Sequence, residues 1–325
     1  MRPSTVAAVV IARNEGSRLQ ACLTSLQGQV DRIVYVDSGS TDNSVSFARG
    51  IGAKVVELDT SIPFTAARAR NAGFYALQDA GTPDYVQFVD GDCEVVAGWL
   101  LQAQAFLDEH PAVAVVCGRR RERFPQRSIY NLLCDLEWDT PIGEAQACGG
   151  DALMRADAFV AMGGFRPELI AGEEPELCVR LRAAGCKVWR LAEEMTLHDA
   201  AMIRFGQWWQ RTQRGGHAFA EGAFLHGAAP ERHWLRESRR AWLWGLGIPV
   251  TVAAASFLLG WLGLLLLLVY PLQVVRLARR GKRAARENWL QAGLLVLGKF
   301  PEMLGQVKFL LSRFGAGKTT LIEYK

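Results

Sequence analysis

Hydrophobic positions in the first 200 residues alternate between short continuous runs and helical spacing. The continuous runs predict buried strands at 5–12, 32–36, 54–58, 85–89 and 112–116. Helical patterns predict helices at 14–26, 65–80 and 99–109, and a further helix that is capped by Ser40-Thr41-Asp42 and stops near Gly50 or Gly52. Strict alternation of the two elements predicts an α/β fold with a mostly parallel sheet and helices on both faces.

The pattern continues less regularly from 145 to 200. It predicts a short strand at 149–154, helices at 156–162 and 174–184, and a strand at 187–191. We expect the α/β domain to occupy residues 1–215, followed by a basic amphipathic linker at 216–241.

Residues 242–275 contain no Lys, Arg, Asp or Glu. Because one membrane span needs ~20 residues, this stretch is long for one span and short for two. Arginines flank both ends, and the positive-inside rule then puts both ends in the cytoplasm. We expect a transmembrane hairpin or a re-entrant segment; the alternative is a buried hairpin of a soluble domain. Residues 276–325 follow as a basic loop and amphipathic, interfacial helices.

The distribution of charged residues also separates the front of the chain from the rear. Residues 1–200 carry 19 basic and 27 acidic side chains, whereas residues 201–325 carry 18 and 6. An acidic front half suits metal ions, and a basic, apolar rear half suits an anionic membrane surface. The seven cysteines show no zinc-type spacing, so we expect reduced thiols in a cytosolic compartment.

Asp90-Gly91-Asp92 is the sharpest local motif. It directly follows a predicted buried strand, at the edge of the sheet where α/β folds bind ligands. Two carboxylates on such a turn can hold a hard divalent cation, which then bridges the diphosphate of a nucleotide. A solvated turn is the alternative.

Two further sites bear on nucleotide binding. Asp37 ends the second predicted strand, and its carboxylate can accept a hydrogen bond from a base imide. Arg70, in Ala-Arg-Asn-Ala-Gly, can pair with phosphate or base, although Arg68 competes for that role.

Glu173 and Glu174 precede a predicted helix after a glycine. The helix dipole favours ionised carboxylates at this end. A carboxylate held there can take a proton from an acceptor hydroxyl. Simple charge complementarity with the helix is the alternative.

These motifs together resemble the inverting glycosyltransferases of family 2, which have the GT-A fold. The resemblance covers roughly residues 4–215. It rests on Val-Ile-Ala-Arg-Asn-Glu (10–15), Val-Asp-Ser-Gly-Ser-Thr-Asp (36–42), Ala-Arg-Asn-Ala-Gly (69–73), Asp-Gly-Asp (90–92), Gly-Gly-Phe (163–165) and Gly-Glu-Glu-x-Glu-Leu-x-x-Arg-Leu (172–181).

The resemblance implies roles for individual residues. The nucleotide-sugar would be bound by Ala12, Glu15, Asp37, Arg70, Asp90 and Gly91. Mg²⁺ or Mn²⁺ would be held by Asp92 with Asp90, and by His198, which otherwise has a structural role. The family usually shows Glu-Asp at the catalytic base, and Glu174 stands here where the Asp is expected, beside Glu173.

We therefore expect a metal-dependent, inverting transfer of one sugar from a nucleotide-diphosphate sugar to a glycan or lipid-linked acceptor. Arg211 is expected near the diphosphate; its surroundings do not match the Gln-x-x-Arg-Trp element of processive synthases. The alternatives are a polyprenyl-phosphate glycosyltransferase, a sugar nucleotidyltransferase and a non-catalytic nucleotide-binding scaffold. We expect membrane lipids but no nucleic acid as partners, at the inner or plasma membrane with a cytoplasmic catalytic domain.

Overall fold

The computed structural model of the protein describes residues 4–315. The last ten residues of the predicted C-terminal segment, 316–325, lie outside the described residues. The chain divides into two compact units, Met1–Ala201 and Met202–Lys325. Each unit has its own architecture.

The first unit is built on one mixed sheet in the order β3-β2-β1-β4-β8-β6-β9-β5, with β7 paired to β9. The strands are β1 (Val6–Ala12), β2 (Arg32–Asp37), β3 (Lys54–Glu57), β4 (Tyr85–Asp90), β5 (Cys93–Val95), β6 (Val113–Glu122), β7 (Gly143–Glu144), β8 (Ala152–Arg155) and β9 (Lys187–His198). The helices are α1 (Ser17–Leu26), α2 (Ser44–Gly50), α3 (Ala66–Gln78), α4 (Trp99–Glu109), α5 (Ile129–Glu137), α6 (Ala156–Ala161) and α7 (Glu173–Ala183).

The central strands are apolar on both faces because helices cover both faces. Val6 to Ile11 are all buried, and their side chains enter two separate core clusters in alternation. Val10 packs with Leu19 and Leu23 of α1, whereas Val9 packs in the cluster that contains Phe74 of α3. Such continuous apolar runs are typical of a sheet enclosed between helix layers.

The predicted α/β fold is confirmed, and the parallel half of the sheet is β3-β2-β1-β4. The second half is less regular, because β8 runs antiparallel to β4 and β6. The strands β6 and β9 extend well past the predicted ends at 116 and 191 and remain paired as far as Glu122 and His198. The short strands β5 and β7 and helix α5 had no counterpart in the sequence pattern.

The second unit is helical in its described part. Its helices are α8 (Phe205–His226), α9 (Leu235–Trp242), α10 (Ile248–Leu259), α11 (Val269–Arg280), α12 (Ala285–Leu297) and α13 (Lys299–Phe314). A π-helical turn, Leu243–Gly247, joins α9 to α10, and a 3₁₀ segment, Gly260–Leu268, precedes α11. Helices α8 and α13 approach closely, since a Cβ on Gly216 would lie 2.0 Å from the Glu302 carbonyl oxygen.

By length and composition, the helical stretch Leu235–Arg280 is the one candidate membrane span within residues 4–315. Its most apolar window has a mean hydropathy of 2.5, and 11% of that window is buried. The stretch is not straight, because the Tyr270 hydroxyl donates a 2.7 Å hydrogen bond to the Trp244 carbonyl oxygen. The chain turns back at Gly260, whose φ of 62° is one that glycine adopts freely.

Candidate active site

The ends of three parallel strands define one edge of the sheet. Ala12 pairs with Asp37, and Ile11 pairs with Asp90, so β1, β2 and β4 finish at the same level. Ligands of α/β sheets bind at this edge. The turn after β4 approaches β1 closely: the Gly91 N–H donates to the Ile11 carbonyl, and a Cβ on Gly91 would lie 2.5 Å from that of Ala12.

Asp92 lies immediately after this turn and faces His198. The distance from His198 Nε2 to Asp92 Oδ2 is 3.3 Å, and both residues are buried. Antiparallel pairing of β5 with β9 sets Cys93 opposite His198, and this pairing brings the neighbouring Asp92 close to His198. The Trp138 ring and the imidazole pack in a T-shaped arrangement, with ring centroids 4.7 Å apart.

Glu122 contacts the other side of the imidazole, a contact that the sequence did not reveal. Its Oε2 lies 3.4 Å from His198 Nδ1 and accepts a 3.0 Å hydrogen bond from the Ala200 N–H. Its Oε1 accepts from Asn131 Nδ2 at 3.0 Å. Carboxylates face both ring nitrogens; a cation bound at Nε2 would require the proton on Nδ1, where the Glu122 carboxylate can accept it. We call Asp92, His198 and Glu122 the Asp92 cluster.

The Asp92 cluster fits a divalent cation. Ligand atoms of Asp92, Cys93 and His198 lie within 4.8 Å of one another. Burial, followed by the charge of Asp151, raises the pKa of the Cys93 thiol. The Asp92 carboxylate and the His198 imidazole, with diphosphate oxygens added, would make a ligand set that suits Mg²⁺ or Mn²⁺ better than a thiol-rich site does.

Arg70 joins two of the predicted site acids instead of standing alone at the nucleotide edge. Its Nη2 donates to Asp90 Oδ1 at 2.6 Å, and its Nη1 donates to Glu173 Oε1. Burial disfavours its charged form, but Asp90 and Glu173 more than offset this and raise the pKa of the guanidinium. We call Arg70, Asp90 and Glu173 the Arg70 cluster.

A second arginine–carboxylate pair adjoins the Arg70 cluster. Asp151 is fully buried; it forms a 2.7 Å ion pair with Arg120 Nη2 and accepts a hydrogen bond from the Thr196 hydroxyl at 2.9 Å. Its other oxygen accepts the Asp90 N–H at 3.0 Å. These contacts fix the backbone that carries Asp-Gly-Asp. A lone aspartate after two glycines gave no sequence signal of that role.

Glu174 has surroundings quite different from those of Glu173. It is 1% exposed, and its two oxygens accept the N–H groups of Cys148 and Gly149 at 2.9 and 2.8 Å. The Cys178 thiol donates to it at 2.9 Å. Burial raises the pKa of Glu174, against the opposing effect of these hydrogen bonds.

The residues predicted to hold the nucleoside have partners within the first unit. Asp37 accepts from the Tyr35 hydroxyl at 2.6 Å and from the N–H groups of Gly39 and Ser40. Its carboxylate thereby shapes the turn after β2. Glu15 forms a 2.6 Å ion pair with Arg18. Arg211 belongs to α8 of the second unit.

Comparison with known proteins gives three kinds of similarity. The family model described as "Glycosyl transferase family 2" matches residues 7–158. The pre-mycofactocin glycosyltransferase of Mycobacterium tuberculosis is 28% identical over 207 residues, which cover 60% of this chain and 42% of that protein. The succinoglycan biosynthesis protein ExoA of Rhizobium meliloti is 28% identical over 203 residues, covering 57% of this chain and 61% of that protein. The chain thus spans less than two thirds of the length of either relative.

Among solved structures, the chain is similar to the mannosyltransferase PcManGT from Pyrobaculum calidifontis, determined in complex with GDP-Man and Mn²⁺. The TM-score is 0.65, the identity is 18%, and the match covers 96% of this chain and 89% of that one. At this identity the similarity concerns the fold.

Proposed function

Because residues 7–158 form a glycosyltransferase family 2 domain with the GT-A fold, we propose that the protein transfers one sugar from a nucleotide-diphosphate sugar to an acceptor hydroxyl, with inversion. The observation that carries this proposal is the pairing of Asp92 with His198 at 3.3 Å, next to the strand ends where α/β sheets bind ligands.

The Asp92 cluster would hold Mg²⁺ or Mn²⁺. A cation there supplies positive charge to the departing nucleoside diphosphate. Asp92 offers a carboxylate oxygen, His198 offers Nε2, and Glu122 keeps the proton on Nδ1. In this proposal Asp90 contributes through its pair with Arg70 and as a contact to the ribose, beside Glu15 and Asp37.

Glu174 is the proposed base. The acceptor oxygen attacks the anomeric carbon from the face opposite the leaving group, and the bond from that carbon to the diphosphate oxygen breaks with its electron pair. The hydroxyl proton passes to Glu174. Burial raises the pKa of Glu174 and so favours it as the base over Glu173, whose carboxylate is held in an ion pair with Arg70. The proposal requires the 148–149 loop to release one of its hydrogen bonds to Glu174 when the acceptor binds.

The proposed acceptor is a glycan or a lipid-linked glycan, and the proposed location is the inner or plasma membrane, with the catalytic unit in the cytoplasm. A polyprenyl phosphate is the second candidate acceptor. The apolar stretch at 242–275 supports both candidates equally.

A thermal-shift panel of nucleoside diphosphates, each with and without Mn²⁺, tests the proposal. We expect one base to stabilise the protein, and only when Mn²⁺ is present, because metal and diphosphate bind together. Stabilisation by no nucleotide would overturn the proposal. Nucleotide binding without metal-dependent hydrolysis or transfer would point to the scaffold alternative.

A further inference from the structure

The apolar stretch of the second unit forms two legs that lie side by side. Trp244 and Tyr270 meet at one end, through a hydrogen bond and with ring centroids 5.9 Å apart. A Cβ on Gly263 would lie 2.2 Å from the Ser256 backbone nitrogen, so the absence of a side chain lets the legs touch. We call residues 244–270 the apolar hairpin.

The legs have similar lengths. From Trp244 to Leu259 the chain rises at most about 22 Å at 1.5 Å per residue. The return from Gly260 to Tyr270 is mostly 3₁₀ helix, whose 2.0 Å rise gives at most about 20 Å. A bilayer has a hydrocarbon core of about 30 Å. The hairpin is therefore deeper than one leaflet and too short to cross both.

The turn of the hairpin carries large apolar side chains and no charge. Phe257 is 90% exposed and Leu258 76%. A hairpin that spanned the bilayer would place these side chains in the water and headgroups of the far side. Burial of such a patch in hydrocarbon is favourable.

The open end of the hairpin has the opposite character. Trp244 and Tyr270 lie there, and such residues prefer the membrane interface. Beyond them come ten basic residues against one acid within 232–286: Arg232, Arg236, Arg239, Arg240, Arg276, Arg279, Arg280, Lys282, Arg283 and Arg286, with Glu237. Basic side chains on both flanks match an anionic headgroup layer on one side of a membrane.

We infer that the apolar hairpin enters an anionic bilayer from one side and ends inside the hydrocarbon core, without reaching the far surface. This inference rests on the membrane location in the proposed function and specifies its form. It makes the protein monotopic at this segment: both flanks stay on the entry side, and the Phe257–Trp261 turn contacts only lipid.

Thiol accessibility tests the inference directly. The full chain is synthesised in the presence of sealed vesicles of phosphatidylcholine and phosphatidylglycerol, as Leu258→Cys at the turn or as Lys282→Cys at the flank. A membrane-impermeant maleimide is supplied outside or trapped inside. The seven native cysteines all precede residue 187, and the unaltered chain measures their background.

We expect Lys282→Cys to react from outside, and Leu258→Cys to react from neither side until detergent dissolves the vesicles. Reaction of Leu258→Cys from inside would mean that the hairpin spans. Equal reaction of both variants from outside would mean that the hairpin stays in water. Oxidative cross-linking of Leu258→Cys between two chains would mean that a second copy covers the turn. Any of these three results overturns the inference.

Lipid charge gives an independent arm. In the double variant Arg279→Glu with Arg280→Glu, binding to the anionic vesicles should weaken at least about tenfold. Binding to pure phosphatidylcholine vesicles should not weaken. The control Arg49→Glu with Lys54→Glu reverses two exposed charges in the first unit. It should leave binding to both kinds of vesicle unchanged. Equal loss on both vesicles would contradict the role of anionic headgroups. Neither arm uses sugar transfer, so the hairpin inference and the enzymatic proposal can fail separately.

Discussion

The Asp92 cluster and the Arg70 cluster both place two carboxylates near the same strand ends, yet the charges of these carboxylates are balanced differently. In the Arg70 cluster a guanidinium lies between Asp90 and Glu173. In the Asp92 cluster the group between the two carboxylates is an imidazole, which is neutral unless protonated. A cluster that carries its own cation is stable as it is, whereas the other suits an external one. In the proposed function, carboxylates therefore support the fold in one cluster and bind the cation in the other.

The largest losses of Mn²⁺ affinity and sugar transfer are expected when Asp92 is changed. Asp92→Asn keeps the shape of the side chain and removes the charge that the cation needs. We expect Mn²⁺ affinity and sugar transfer each to fall at least about 100-fold. Manganese electron paramagnetic resonance measures the first, and product formation measures the second. Asp157→Asn, on an exposed turn of α6 where the carboxylate accepts the Ala158 N–H, is the matched control. Normal Mn²⁺ affinity in Asp92→Asn would remove the distinction between the clusters.

Glu174 belongs to neither cluster, and its variants test whether it is the base that accepts the proton. Glu174→Gln should lower transfer at least about 100-fold with Mn²⁺ affinity unchanged, and Glu174→Asp, the residue usual in the family, should retain more activity. Because burial raises the pKa of Glu174 and only its ionised form accepts a proton, the rate should fall as pH drops through a pKa above the ordinary glutamate value. An unaltered acidic limb in Glu174→Gln would assign that limb to another group.

The effect at Glu122 is expected to be intermediate. Glu122→Gln keeps the hydrogen bond to the Ala200 N–H but weakens the hold on His198 Nδ1. We expect Mn²⁺ affinity to fall about 10- to 100-fold, as for other carboxylates that orient a metal-binding histidine. Glu194→Gln, which removes an exposed partner of Arg121, should leave affinity unchanged. If both variants bind Mn²⁺ normally, Glu122 has only a structural role.

Much of the first unit could be predicted because its strands and helices have regular apolar spacing. The strand ends at Asp37 and Asp90 lie within one residue of the predicted positions, since buried parallel strands read as continuous apolar runs. Glu122 shows the limit, because it was not among the predicted site residues. It lies on the extension of β6, beside His198 on the extension of β9, and its local sequence Arg-Arg-Arg-Glu resembles a solvated basic loop.

Those extensions form because each strand pairs with the hydrogen-bonding backbone groups of the other. This pairing is a long-range effect that a local sequence pattern does not indicate. The same limit applies to Arg70. The Ala-Arg-Asn-Ala-Gly motif indicated a cation near the nucleotide. The sequence did not indicate that Arg70 donates a hydrogen bond to Glu173, which lies 103 positions further along the chain. Pairing partners at that separation are fixed by the fold, so the sequence supplied the residues and left their contacts open.

The smallest effect on metal binding is expected at Arg70, where stability should change instead. Arg70→Lys keeps the charge, but a single ammonium does not reproduce the fork that contacts Asp90 and Glu173 together. One buried acid then loses its hydrogen bond, and we expect the free energy of unfolding to fall by about 1–3 kcal/mol. Mn²⁺ affinity should stay unchanged, because the Asp92 cluster keeps its contacts.

Arg68→Lys is the matched control for this prediction. Arg68 lies two residues away on α3 and donates to the carbonyl oxygens of Asp59 and Ile62 at the surface. Its loss should change the free energy of unfolding by less than about 0.5 kcal/mol, the usual range for surface positions. Chemical denaturation of both variants gives the comparison. Equal losses would mean that the fork is not what stabilises the Arg70 cluster. A parallel loss of Mn²⁺ affinity in Arg70→Lys alone would mean that the two clusters form one site, because the cation would then depend on an arginine that does not contact it.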